Sequence, residues 1–246
     1  MIPILSDVRG INVVLKKWLR KNKLPDAIVV EHPRYAGGHL GATKVEDLTN
    51  PRFDFEVVLE GTFKLYDELG IAPIPLIVAG GINSHEKVQR YLGLGAAAVQ
   101  VGTAFAVTQE GDAHENFKQV LIQATPEKIK TFISAAGLPA RGVLTPWLEN
   151  YLKRESKLQQ ACNGEKRKCA AALDCLASCG LRDGLAKFGQ FCIDAQLTAA
   201  LRGDVSKGLF FRGSESLPFG EAMRSVKELI HYFLTGEKPA DLVLAG

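Results

Sequence analysis

A chain of 246 residues, 46% of them hydrophobic and with a mean hydropathy of +0.03, holds enough apolar material for one large soluble core. Its net charge of +3 is too small to argue for a nucleic-acid or membrane partner, and no apolar stretch approaches the ~20 residues of a membrane span. Five cysteines, an odd number, and no signal-peptide pattern before the first apolar run point to a reducing cytoplasm.

Ile2–Leu5 is a short apolar run, followed by an amphipathic stretch from Val8 to Lys23 in which Ile11, Val14, Leu15, Trp18 and Leu19 recur at helical spacing. Leu24-Pro25-Asp26 breaks it, and Ala27–Glu31 reads as a buried strand leading into the loop His32–Gly41. A helix is expected over Phe55–Leu69, with Val58, Leu59, Phe63 and Leu65 or Tyr66 inward. Two strand-like runs follow, Pro75–Ala79 and Ala96–Val101, separated by a helical stretch from Ser84 to Leu94. Ser84 stands at the N-cap position, and Val88, Tyr91 and Leu92 share a face. A further amphipathic run lies near His114–Ala124. This alternation predicts a parallel sheet with right-handed crossovers.

After Gly137–Arg141 the character changes. Trp147–Leu158 reads as a helix, Cys162–Cys192 is rich in Cys and Ala, and Ser225–Leu234 is a last amphipathic helix with Val226, Leu229, Ile230 and Phe233 inward. The run Lys166-Arg167-Lys168 reads as a solvated patch. The expected organisation is α/β. Residues 1–145 form the C-terminal half of a (β/α)8 TIM barrel with about four parallel βα units. Residues 146–224 form a helical lid, and 225–246 hold a C-terminal helix returning to the barrel.

Three constellations carry chemistry. Each of the two central strands runs into glycine: Gly80-Gly81 after the first, Gln100-Val101-Gly102-Thr103 after the second. One such turn is as well explained by tight backbone geometry. Two in tandem on neighbouring parallel strands favour an anion, because backbone N–H groups approach a phosphate where no side chain intervenes. The Thr103 hydroxyl suits the phosphate and the Gln100 amide the edge of a ring. The second constellation is Ala36-Gly37-Gly38-His39, at a strand end where barrel catalysis sits. His39 is the ionisable group there, with His32 nearby in the same loop. The third is Cys169, Cys175, Cys179 and Cys192. Only Cys175 and Cys179 approach zinc-ligand spacing, so no metal site is expected.

The stretches LPDAIVVE, AGGHLG, PLIVAGGIN, GAAAVQVGTAF, GLPAR and GDVSKGLFFRG together resemble the nitronate monooxygenases, formerly 2-nitropropane dioxygenases, of the FMN barrel group. The resemblance runs from Ile2 through Arg141 and resumes at Phe191, with the N-terminal half of the family's barrel not represented. It implies FMN, with the phosphate near Gly81 and Gly102-Thr103 and further contacts from Gly37, Gly38, Gly80, Gln100 and Val101. It also implies His39 as base or electrostatic partner, and oxidation of alkyl nitronates by O2 to a carbonyl compound and nitrite. The loop departs from the family pattern in reading EHPRYAGGH, which puts His32 and Arg34 at the flavin edge. Two alternatives stand beside this: an FMN-dependent enoyl-ACP reductase, and a non-catalytic half-barrel that needs a partner chain. An open barrel edge makes a homodimer a further expectation.

Overall fold

The computed structural model describes residues 1–164, 169 and 175–240. The basic run 166–168 and the end of the C-terminal unit, 241–246, lie outside the described residues.

The first part of the chain is a run of βα units. β1 (Ile4–Leu5) leads into α1 (Val8–Leu19), whose N-cap Asp7 accepts a hydrogen bond from Gly10 N at 2.7 Å and so satisfies an orphan donor of the first turn. β2 (Ile28–Glu31) follows, then the two-residue β3 (Gly38–His39) and α2 (Phe55–Leu69), which stops at Gly70 in the left-handed conformation. β4 (Leu76–Ala79), α3 (His85–Gly93) and β5 (Ala98–Gln100) complete the repeat. Ser84 caps α3 by accepting from Lys87 N at 3.3 Å. The strands β1, β2, β4 and β5 pair in parallel in that order, so successive units lie side by side with no strand inserted between them. This is an arc of four βα units, half of a (β/α)8 barrel.

One apolar cluster unites the arc. Ile11 and Leu15 of α1, Val58, Leu59 and Tyr66 of α2, and Val88 and Tyr91 of α3 pack on Ile28, Val30, Leu76 and Val78 of the sheet. The Tyr66 hydroxyl, taken out of water, donates to Ile74 O at 3.1 Å. The last helix, α9 (Val226–Thr235), closes on α3 and on α4 (Thr103–Ala106) and adds Leu229, Tyr232 and Phe233 to the same cluster. A capping box between Ser225 and Glu228 starts it. Two helix positions expected inward face water: Leu92 is 39% and Ile230 44% exposed. The i, i+3 face of α3 is Val88 and Tyr91, and α9 turns Leu229, Tyr232 and Phe233 inward instead, which rotates Ile230 away.

A second, antiparallel sheet was not foreseen. β6 (Ile129–Ile133) and β7 (Pro139–Val143) form a hairpin around Gly137, and β3 pairs with the other edge of β7, Gly38 opposite Arg141 and His39 opposite Ala140. Residues 129–143, read from the sequence as part of the barrel half, therefore belong to this separate sheet. Between the two sheets in sequence lies α5 (Glu115–Ile122). Beyond the hairpin come α6 (Pro146–Gln160), α7 (Gly180–Asp183) and α8 (Ile193–Leu201). Phe132, Ala140, Leu148, Tyr151, Phe191 and Leu209 form the core between this sheet and its helices. The loop carrying the Gly-Gly-His sequence thus ties the parallel arc to the antiparallel layer.

Candidate active site

The C-terminal ends of β2, β4 and β5 open on a cavity of about 410 Å³, within the size range of cofactor sites. Gly37, Gly38, Gly80, Gly81, Gln100, Val101, Gly102 and Thr103 all line it. Gly80 and Gly81 adopt φ of +94° and +77°, which turns the chain sharply after β4. A Cβ on Gly81 would stand 2.7 Å from the Tyr35 Cβ, so this turn and the His32–Gly38 loop are in close contact. A Cβ on Gly102 would meet no atom within 4 Å. At that position backbone is presented to open space.

Residues 211–218, the stretch between the second core and α9, form the wall opposite the strand ends. Gly213 N donates to Thr103 Oγ1 at 3.3 Å, and Asn83 Nδ2 donates to Ser216 O at 3.0 Å. Lys87 Nζ bridges Gly81 O at 2.8 Å and Glu215 Oε2 at 2.7 Å. Each of the two glycine turns is therefore fastened to the wall by side chains beside it. Arg212 is buried in this wall and donates to Leu121 O, Gly213 O and Glu215 O; burial lowers its pKa. A second buried guanidinium, Arg141, donates to Pro33 O and Ala36 O and holds the other side of the loop. Sequence reasoning missed the wall because nothing local links Arg212 or Gly213 to Thr103.

His39 is not among the residues lining the cavity, although Gly38 and Phe211 are. Its Nε2 lies 2.9 Å from Ser134 Oγ and its ring centroid 6.0 Å from that of Phe211. Burial lowers its pKa, so the imidazole is neutral at pH 7. His32 serves the loop: its Nδ1 accepts from Arg34 N at 3.2 Å, its Nε2 is 3.4 Å from Asp54 Oδ1, and it packs on Tyr35 and Phe55. Burial lowers its pKa too, against an opposing pull from Asp54.

Glu31, the last residue of β2, also lines the cavity. Burial alone pushes its carboxyl up to about 7. Its position was legible as the end of a buried strand; its chemistry was not, since only the assembled cavity removes it from water.

Cys169, Cys175, Cys179 and Cys192 face one small apolar space with Leu181, Arg182 and Ile193. Among the described residues no group of three or more His, Cys, Asp or Glu is arranged to hold a metal ion.

An arc of parallel βα units with two glycine turns and an adjoining wall around one cavity defines a barrel-type ligand-binding protein with its site at the strand ends. Within that class the chain belongs to the nitronate monooxygenase family, whose model matches residues 1–235. It is 34% identical over 126 residues to a probable nitronate monooxygenase of Bacillus subtilis, covering 50% of this chain and 33% of the relative. With a probable nitronate monooxygenase of Staphylococcus aureus it shares 30% identity over 152 residues, 59% of this chain and 41% of the relative. Among solved structures, FabK from Thermotoga maritima matches with a TM-score of 0.62 at 24% identity, over 95% of this chain and 59% of that one. Nitroalkane oxidase from Streptomyces ansochromogenes matches with a TM-score of 0.59 at 20% identity, over 99% and 58%. The chain thus spans only part of each, from 33% of the Bacillus relative to 59% of the Thermotoga chain. No described helix is long and apolar enough to cross a membrane.

Proposed function

We propose that this chain carries the FMN site of a nitronate monooxygenase, an oxidoreductase that oxidises alkyl nitronates with O2 to a carbonyl compound and nitrite. The observation that carries the reading is the cavity at the ends of β2, β4 and β5, where Gly102 presents bare backbone beside the Thr103 hydroxyl. These residues fit a phosphate-bearing flavin. Gly80-Gly81 and Gly102-Thr103 would hold the phosphate through N–H and hydroxyl donors, Gly37 and Gly38 would allow the loop to approach, and Gln100 with Val101 would meet the ring. When bound, FMN supplies the electron transfer between nitronate and O2.

The protein's part is binding, orientation and proton handling. The neutral His39, one residue beyond the lining Gly38, is the base in this reading, with Ser134 setting its orientation. The mouth of a full barrel draws loops from all eight strands, and this arc provides four, so the isolated chain should turn over weakly. The outer strand β1, with Ile2 and Ile4 more than half exposed, offers a free edge for self-association.

The test is the visible spectrum of the purified protein, followed by anaerobic mixing with a nitronate. Flavin absorbance that bleaches on mixing is the expected result. A colourless protein that takes up no added FMN overturns the cofactor assignment. A flavoprotein that oxidises NADH and leaves nitronate untouched overturns the substrate in favour of an enoyl-thioester reductase.

A further inference from the structure

Glu31, Ala79 and Gln100 end three neighbouring parallel strands at one register: Glu31 pairs with Ala79, and Ala79 with Gln100. Residues paired in register point to the same face of a sheet, so the carboxyl and the amide flank the Ala79 methyl. Two strand spacings separate them, roughly 9–10 Å between backbones. Both side chains line the cavity, and Ala79, itself buried, leaves the space between them clear. The amide of Gln100 offers one donor and one acceptor. A neutral carboxyl at Glu31 offers the same pair, whereas a carboxylate offers acceptors only.

We propose that Glu31 and Gln100 form a carboxyl–amide clamp for a flat ring with an imide-type edge, in which Glu31 binds as the neutral acid. This rests on the flavin reading above and assigns the ring's polar edge to these two residues. The chemistry is complementary: an imide presents an N–H between two carbonyls, so it needs both donors and acceptors from its site. Ionised, Glu31 would lose its donor and set a negative charge against a ring carbonyl.

The other titratable or charged side chains lining the cavity are Tyr35, Arg212 and Glu215. Glu215 is engaged by Lys87, and Arg212 by backbone carbonyls. Beside Glu31 on the chain, His32 faces Asp54. Burial alone sets the titration of Glu31, near 7, with no charged neighbour contributing.

Flavin affinity should therefore fall as pH rises through neutrality. With the protonated form as the binding form, the competent fraction drops from about one half at pH 7 to about a tenth at pH 8, weakening binding about fivefold. The experiment is FMN binding by fluorescence quenching at pH 6, 7 and 8, with riboflavin run beside it to remove any contribution from phosphate titration. Glu31→Gln keeps a donor and an acceptor but does not titrate. It should bind equally at all three pH values and more tightly than the wild type at pH 8. Glu31→Ala should bind weakly throughout. Wild-type binding that is flat in pH, or a Glu31→Gln variant that keeps the wild-type slope, overturns the clamp while leaving the flavin site standing. No flavin binding by the wild type even at pH 6 overturns the site reading, and the clamp with it.

Discussion

His39 Nε2 and Ser134 Oγ lie 2.9 Å apart, joining a two-residue strand to the fully buried end of the β6 hairpin. Ser134 Oγ also accepts from Ala136 N at 3.1 Å, which leaves its hydroxyl hydrogen free to point at the imidazole. The pair can therefore set which ring nitrogen of His39 carries the proton. General-base assistance is worth ~10²–10⁴-fold, so His39→Asn should slow nitronate-dependent flavin reduction by about that range with flavin still bound. Ser134→Ala should act through the imidazole and displace the pH profile of that reduction. Anaerobic stopped-flow bleaching measures both. Full-rate bleaching in His39→Asn ends the assignment of His39 as base.

Gly102 allows a test that separates binding from folding. A Cβ there meets no atom within 4 Å, so Gly102→Val should fold, yet its branched side chain enters the space assigned to the phosphate. Expected is a stability close to wild type and a loss of most of the bound flavin, read as absorbance released on denaturation. Equal flavin content in the two proteins removes the phosphate from this turn.

The contrast among elements shows what the sequence carries. α2 was legible residue for residue over Phe55–Leu69, because its apolar period and the glycine after it are local signals. The Ser84 cap and the two glycine turns were legible for the same reason. β7 was not: Pro-Ala-Arg-Gly-Val has little strand propensity, every residue of it is buried so no alternation shows, and one partner, β3, lies far upstream. The candidate site divides along the same line. Its glycine turns announce themselves in short motifs, whereas Arg212 and Gly213 reach Thr103 only through the tertiary fold.

Gly37 is constrained by packing. A Cβ on it would come within 2.6 Å of both Arg212 C and Gly213 N, backbone atoms that Arg141 and Arg212 help to pin. Gly37→Ala must push the loop and the wall apart, and overpacking of this kind costs roughly 1–3 kcal/mol. Urea denaturation should show that loss together with weakened flavin binding. An alanine variant as stable as the wild type shows that the loop and wall are less tightly joined than the contact distances state.

The four cysteines around their shared apolar space are expected to bind no metal. Their chain spacing fits neither zinc nor iron–sulfur runs, and burial raises the Cys175 pKa, which disfavours the thiolate a metal needs. Protein purified under reducing conditions should contain no stoichiometric zinc or iron, and Cys175→Ser should leave its metal content unchanged. A metal present in the wild type and lost in that variant overturns this reading.

Glu31 should also leave a mark on stability without any ligand. Its carboxyl titrates at 4.5 in an unperturbed chain and at about 7 in the fold, so between these values the folded state holds more protons than the unfolded one. The stability gained from this group is complete below 4.5 and is lost as pH rises through about 7. The loss is on the order of 2–3 kcal/mol if the unfolded chain titrates normally. His32 and His39 act in the opposite direction. Their pKa values are depressed in the fold, so their contribution is present above 6.5 and is lost as pH falls. The two effects overlap in the wild-type profile, and only a variant separates them. Glu31→Gln removes the carboxyl titration and leaves both histidines in place. Urea unfolding of the flavin-free protein at pH 5, 6, 7 and 8 should show wild type losing ground against Glu31→Gln at each step upward. Parallel profiles show that Glu31 ionises in the fold as it does in water, and remove the neutral acid from the cavity.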